Sequence, residues 1–141
     1  MNQFKNYITN LLSIHTEILF HLIKKAIKSK NKKIAVVAAN LRFRLKGFKL
    51  KIKYEEDLSL FSIVDGRDVH FFGNLLRGLD CYENGLRSRA NELYSSYLLE
   101  NLSFEKDDIV IDCGANYGDL WLCLKDKINP SSYITFEPGS F

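Results

Sequence analysis

Apolar and polar positions follow two different rhythms along this chain. Over residues 3–29, Ile8, Leu11, Leu12, His15, Ile18, Leu19, Leu22, Ile23, Ala26 and Ile27 recur at spacings of three and four. That predicts an amphipathic helix with one stripe to bury, and packing on the rest of the protein is the expected cover. Lys24, Lys25 and Lys28 stand near its end, where cations complement the helix dipole. Residues 30–33 form a polar break, followed by a short apolar piece, Ile34 to Ala39, of undecided type. The rhythm then changes to two. Phe48, Leu50, Ile52 and Tyr54 alternate with Lys49, Lys51 and Lys53, as in a half-buried strand with a basic outer face. Glu55 to Asp57 reads as a turn and Leu58 to Val64 as a second strand. Asp65-Gly66 is a hairpin signal, because glycine accepts the positive φ that tight turns need. Asp68 to Phe72 is the returning strand. Residues 74–85 read as irregular, with Gly73, Gly78 and Gly85 as breakers. Residues 86–100 predict another amphipathic helix, with Leu86, Ala90, Leu93, Tyr94, Tyr97 and Leu98 on its stripe.

Charge divides the chain where the pattern does. Residues 1–53 hold 13 Lys and Arg against one acid, Glu17, whereas residues 54–141 hold 7 against 16 acids. A basic front can attract an anionic partner, whether nucleic acid, glycan or membrane surface. A solvated helix face followed by a lysine-studded strand is the preferred reading, and no nucleic-acid partner is expected. The organisation expected is a helical basic segment (1–47), a small antiparallel β unit with a loop (48–85), and the start of a further domain (86–141). With 141 residues, of which 46% are hydrophobic, the chain is a folding one of a single domain at most. Cys81, Cys113 and Cys123 are odd in number and lack metal-ligand spacing, so reduced thiols and no metal site are expected. Cys113 reads as a small core residue. His15, His21 and His70 are scattered, and Arg87 and Arg89 read as surface residues at a helix start. No apolar run is long enough to span a membrane or serve as a signal peptide, so a cytoplasmic location is expected.

The last forty residues carry the chemistry. Ile109-Val110-Ile111 is a short β-branched run of the kind found in buried parallel strands. It leads into Asp112-Cys-Gly-Ala-Asn-Tyr-Gly-Asp119, then a helix from Leu120 to Lys127, then a second strand, Tyr133 to Phe136, ending in Glu137-Pro138. The order of strand, glycine loop, helix, strand and acid predicts a βαβ unit that binds an adenosine cofactor. Gly114 turns the backbone off the strand end, and Gly118 removes a side chain where the helix approaches. Asn116 tolerates left-handed backbone angles. Glu137 lies 19 residues past Gly118, the spacing of a carboxylate that accepts both ribose hydroxyls. Asp119 stands where a pyrophosphate would be repelled, which favours S-adenosylmethionine over a dinucleotide.

The segments Asp112 to Asp119 and Tyr133-Ile-Thr-Phe-Glu-Pro138 resemble the FkbM-type methyltransferases, with their D-x-G-A-N-x-G and F-E-P motifs. The resemblance is specific over residues 108–138 and looser through Gly85 to Arg89 and Tyr97. It implies an α/β class, with the first βαβ unit of a Rossmann-like class I methyltransferase domain preceded by an N-terminal helix and a small antiparallel unit. It also implies S-adenosylmethionine as donor and a hydroxyl on a sugar, glycan or natural product as acceptor. Carried over by position, Asp112, Gly114, Ala115, Asn116 and Gly118 form the donor loop. Glu137 holds the ribose, and Tyr117 and Asp119 contact the methionine end. No catalytic base can be assigned. The family core has about seven strands, so the chain is expected to be the front part of such an enzyme, truncated before the acceptor site. Two alternatives stay open. One is a non-catalytic S-adenosylmethionine- or nucleotide-binding module. The other is a basic membrane- or nucleic-acid-associated protein acting through residues 1–53.

Overall fold

Asn31 splits the basic front into two helices. In a computed structural model that describes residues 16–138, its side chain accepts from the Lys33 N–H at 3.0 Å and the Ile34 N–H at 3.3 Å. Capping of this kind satisfies amides that a helix start leaves unpaired. Helix α1 is described over residues 16–27, and α2 runs Lys32–Leu45. The undecided piece from Ile34 to Ala39 is therefore helical, and Ala35, Ala38, Ala39 and Phe43 form its buried face. Ile8, Leu11, Leu12 and His15 of the expected first helix lie outside the described residues. Only part of the described stripe is covered. Ile23 and Ile27 are buried, whereas Ile18, Leu19 and Leu22 are exposed.

Strands β1 (Lys51–Glu55), β2 (Leu60–Asp65) and β3 (Asp68–Phe72) form an antiparallel meander in that order. Its register pairs Ile52 with Ile63, Phe61 with Phe72, and Asp65 with Asp68. The two-residue hairpin is made by Gly66, with φ of +63°, and Arg67. Leu50 and Ile52 point inward while Lys49, Lys51 and Lys53 point out, as the alternation requires. Asn40 of α2 ties this sheet to the helix. Its amide donates to the Ile52 carbonyl and accepts from the Ile52 N–H, both at 2.8 Å. One core follows from this arrangement, with Phe43, Ile52, Phe61, Ile63, Phe72 and Leu79 at its centre.

Residues 74–85 are not irregular. Asn74 accepts from the Arg77 N–H at 3.1 Å and starts α3, Leu75–Tyr82. Gly78, read as a breaker, lies inside this helix. A Cβ there would sit 2.1 Å from the Phe72 ring, so the missing side chain is what lets the ring lie on the helix backbone. Helix α4, Leu86–Ser96, follows Gly85 at φ of +94°. Its start is capped from a distance, the Leu86 N–H donating to Asp65 Oδ2 at 2.9 Å. The helix stops short of residue 100 because Leu98 adopts a left-handed φ of 55°. Tyr97 and Leu98, placed on the buried stripe by spacing, are consequently exposed.

Strands β4 (Val110–Cys113) and β5 (Tyr133–Phe136) pair in parallel, Val110 with Tyr133 through Cys113 with Phe136. Between them, α5 covers only Trp121–Leu124. The expected helix to Lys127 tightens early, because the Lys127 and Ile128 N–H groups both donate to the Leu124 carbonyl. Leu99, Leu124 and Ile128 form a second small core, while Leu122 packs into the first. The expectation of a buried β4 fails on one face. Ile111 is 59% and Phe136 57% exposed, and Cys113 is exposed with them rather than in the core. On the opposite face Val110 and Tyr133 pack against Leu124 and Trp121 of α5, while Thr135 is exposed. The architecture is thus mixed α/β, an antiparallel three-stranded sheet and a parallel two-stranded one with helices around them.

Because Phe72 occupies the volume of a Gly78 side chain, Gly78→Ala is expected to destabilise the fold by about 1–3 kcal/mol through overpacking, despite alanine's better helix propensity. Urea unfolding followed by far-ultraviolet circular dichroism measures this. Unchanged or increased stability would contradict the packing described.

Candidate functional site

The carboxyl ends of two parallel strands are where open α/β sheets bind ligands, and Gly114 to Glu137 meet there. Coming off β4, the Gly114 and Ala115 N–H groups both donate to the Phe136 carbonyl, at 2.7 and 3.3 Å. The loop is thereby held against the end of β5. Gly114, Asn116 and Gly118 have φ of 83°, 51° and 76°, the left-handed conformations expected of glycine and tolerated by asparagine. Glu137 accepts from the Asn116 N–H at 2.7 Å through Oε2. Around Gly114 and Gly118, nothing lies within 4 Å of where a Cβ would be, so the loop backbone is approachable from outside. Ala115 is buried and anchors the loop from beneath.

The other residues singled out by sequence face elsewhere. Asp112 lies on the face covered by α5, where its carboxylate accepts from the Tyr133 hydroxyl. Burial and then the Asp112 carboxylate raise the Tyr133 phenol above its ordinary value, keeping it a donor. Tyr117 turns back toward the meander, and a Cβ on Gly73 would collide with its hydroxyl. Asp119 turns the same way and has three side-chain partners. Its Oδ1 accepts from the Tyr82 hydroxyl at 2.6 Å and lies 2.9 Å from His70 Nε2. Its Oδ2 accepts from Arg89 at 3.2 Å. Burial works against this charge, but the bonds from His70, Tyr82 and Arg89 prevail and hold the carboxyl at about 2. The Tyr82 phenol is pushed up, by burial first and by Asp119 second.

Sequence reasoning missed His70, Tyr82 and Arg89. The period of two places His70 on the same face of β3 as Phe72, which was the available signal for an inward histidine. Arg89 is not a surface residue. Its side chain is 18% exposed, bonds Glu92 as well as Asp119, and leaves a buried Nε without a partner. Arg87 is exposed, as its place at the helix start implied. The Asp119 carboxylate is thus matched by a cation and directed inward, so it cannot supply the repulsion of pyrophosphate argued from its position. Comparison with protein-family models, with curated proteins and with solved structures finds no match to this chain.

Asp119 lies below its free value of 3.8, so its stabilising contribution is complete above about pH 4 and is lost as pH falls toward 2. Asp119→Asn leaves Arg89 buried without its anion and is expected to cost about 2–4 kcal/mol near neutrality. The gap to the unaltered chain should narrow between about pH 4 and 2. Unfolding followed by the fluorescence of Trp121 at several pH values measures it. A gap independent of pH would contradict the network.

Proposed function

We propose that this chain carries the donor-binding part of an S-adenosylmethionine-dependent methyltransferase, built as the start of a Rossmann-like domain. One observation carries the reading. The Glu137 carboxylate and the left-handed loop Gly114–Gly118 converge at the carboxyl ends of two parallel strands. The residues there fit the ribose of an adenosine group. Glu137 presents acceptor oxygens for the two hydroxyls, and the loop backbone beside it is unobstructed.

The choice of ligand rests on α5. A dinucleotide places its pyrophosphate on the N-terminus of a substantial helix, and α5 has four residues. A sulfonium ligand has no such requirement. When bound, S-adenosylmethionine supplies an electrophilic methyl group, and the part of this chain is to fix the adenosine end so that the methyl is held in one place. The Asn116 N–H donates to the same carboxylate and orients Glu137. The acceptor proposed is a hydroxyl of a sugar, glycan or natural product, as the resemblance of residues 108–138 implies.

Equilibrium dialysis with labelled S-adenosylmethionine tests this. Micromolar binding is expected, weakened about tenfold or more by Glu137→Gln, which replaces one acceptor oxygen by a donor, and not displaced by NAD. A folded chain that binds neither ligand, or NAD in preference, would overturn the reading.

A further inference from the structure

We infer that the face formed by α1 and α2 docks on an anionic phospholipid surface, burying its apolar groove in the interfacial region while basic side chains hold lipid phosphates. The groove lies between the two helices and measures about 480 Å³. Leu19, Leu22, Ile34, Val37 and Leu41 line it and are all exposed, Val37 at 68%. It sits on the described helices, whose other sides are already committed to the core through Ile23, Ile27, Ala35 and Phe43. Exposed apolar residues gathered on one face mark an interaction site.

Charge complementarity selects the occupant. Val37 and Leu41 also line a second hollow of about 550 Å³, whose other walls include Arg44, Lys49 and Lys51. Apolar groove and basic hollow are therefore continuous. Asn40 fixes their geometry through its paired bonds to Ile52 on β1. Arg44, Lys49 and Lys51 make no ion pair among the described residues, whereas nearby Arg42 and Lys46 are both occupied by Glu83. Between residues 16 and 53 the single acid is Glu17. A second copy of the chain would set two such basic rims against each other. A nucleic acid would match the cations but leave the apolar floor without a partner. A membrane interface takes both, since apolar side chains enter the acyl boundary while basic ones stay at headgroup level. No helix among the described residues is long and apolar enough to cross a membrane, which agrees with a helix pair lying in the interface plane.

The test is co-sedimentation of the full chain with vesicles of phosphatidylcholine alone and of phosphatidylcholine mixed with phosphatidylserine. Binding is expected to the mixed vesicles, with little to the neutral ones, and to fall as salt rises. Val37→Asp changes an exposed residue, so the fold should survive, as circular dichroism would verify. It is expected to weaken binding about tenfold or more, and Arg44→Glu with Lys51→Glu by a similar factor. Several vesicle results would overturn the inference. They are no binding to the mixed vesicles, equal binding to neutral ones, or binding untouched by Val37→Asp. Self-association abolished by Val37→Asp in a chain that ignores vesicles would assign the face to a second copy instead. Tight binding of duplex nucleic acid in place of vesicles would likewise overturn it.

Discussion

Asp119 is the tie on which the rest of the arrangement depends. A carboxylate in the interior is costly unless its charge is matched and its lone pairs are filled. Here Arg89 supplies the charge, and His70 and Tyr82 the remaining partners. Those three residues come from β3, α3 and α4, while Asp119 stands at the end of the glycine loop. The network therefore joins the antiparallel meander to the segment leading into α5. Satisfying Asp119 sets the direction in which the chain leaves the loop. That in turn lets the Gly114 and Ala115 amides reach Phe136 and the Asn116 amide reach Glu137. Tyr117, beneath Gly73, reinforces the same junction. The loop is held from behind by a buried polar cluster and is open in front.

The strands were readable from the sequence because a period of two is unambiguous when lysines occupy every other position, as at 49, 51 and 53. The turn at Gly66 and the left-handed Asn116 were readable for local steric reasons. What escaped was decided at a distance. Gly78 looked like a breaker, but the Phe72 ring on β3 requires a glycine inside α3. Ile34 to Ala39 was undecided until Asn31 supplied a cap. The stripe of α4 was drawn too long because nothing local announces the left-handed Leu98. Glu137 and the loop residues meet because parallel pairing of β4 and β5 brings their carboxyl ends together. Asp119 was assigned a ligand-facing direction that its three partners, all distant in sequence, reverse.

The basic front and acidic back of the chain acquire separate roles in this structure. The acids at 112, 119 and 137 are all engaged by donors around the loop, with Tyr133, Asn116 and the Asp119 cluster. Part of the basic front is bound too, through Glu83. At the α1–α2 groove Lys33 pairs with Glu56, whereas Arg44, Lys49 and Lys51 in the adjoining hollow make no ion pair among the described residues and adjoin exposed apolar side chains. Apolar side chains are also exposed on β4 and β5, at Ile111, Ile134 and Phe136, whereas the face on α1 and α2 adjoins the basic side chains of Arg44, Lys49 and Lys51, which specify what it meets.

The most direct measurement is an amide NMR titration of the full chain with S-adenosylhomocysteine, which has the donor's adenosine end without its transferable methyl. A ligand whose ribose takes up Glu137 must perturb the Asn116 N–H that this carboxylate now accepts, along with the Gly114 and Gly118 amides. The residues of the meander, fixed behind the Asp119 cluster, should stay where they are. Saturable shifts centred on Asn116, Gly114 and Gly118 are the result predicted. Shifts confined to other parts of the chain, or none at ligand concentrations well above micromolar, would contradict the placing of an adenosine site at the ends of β4 and β5.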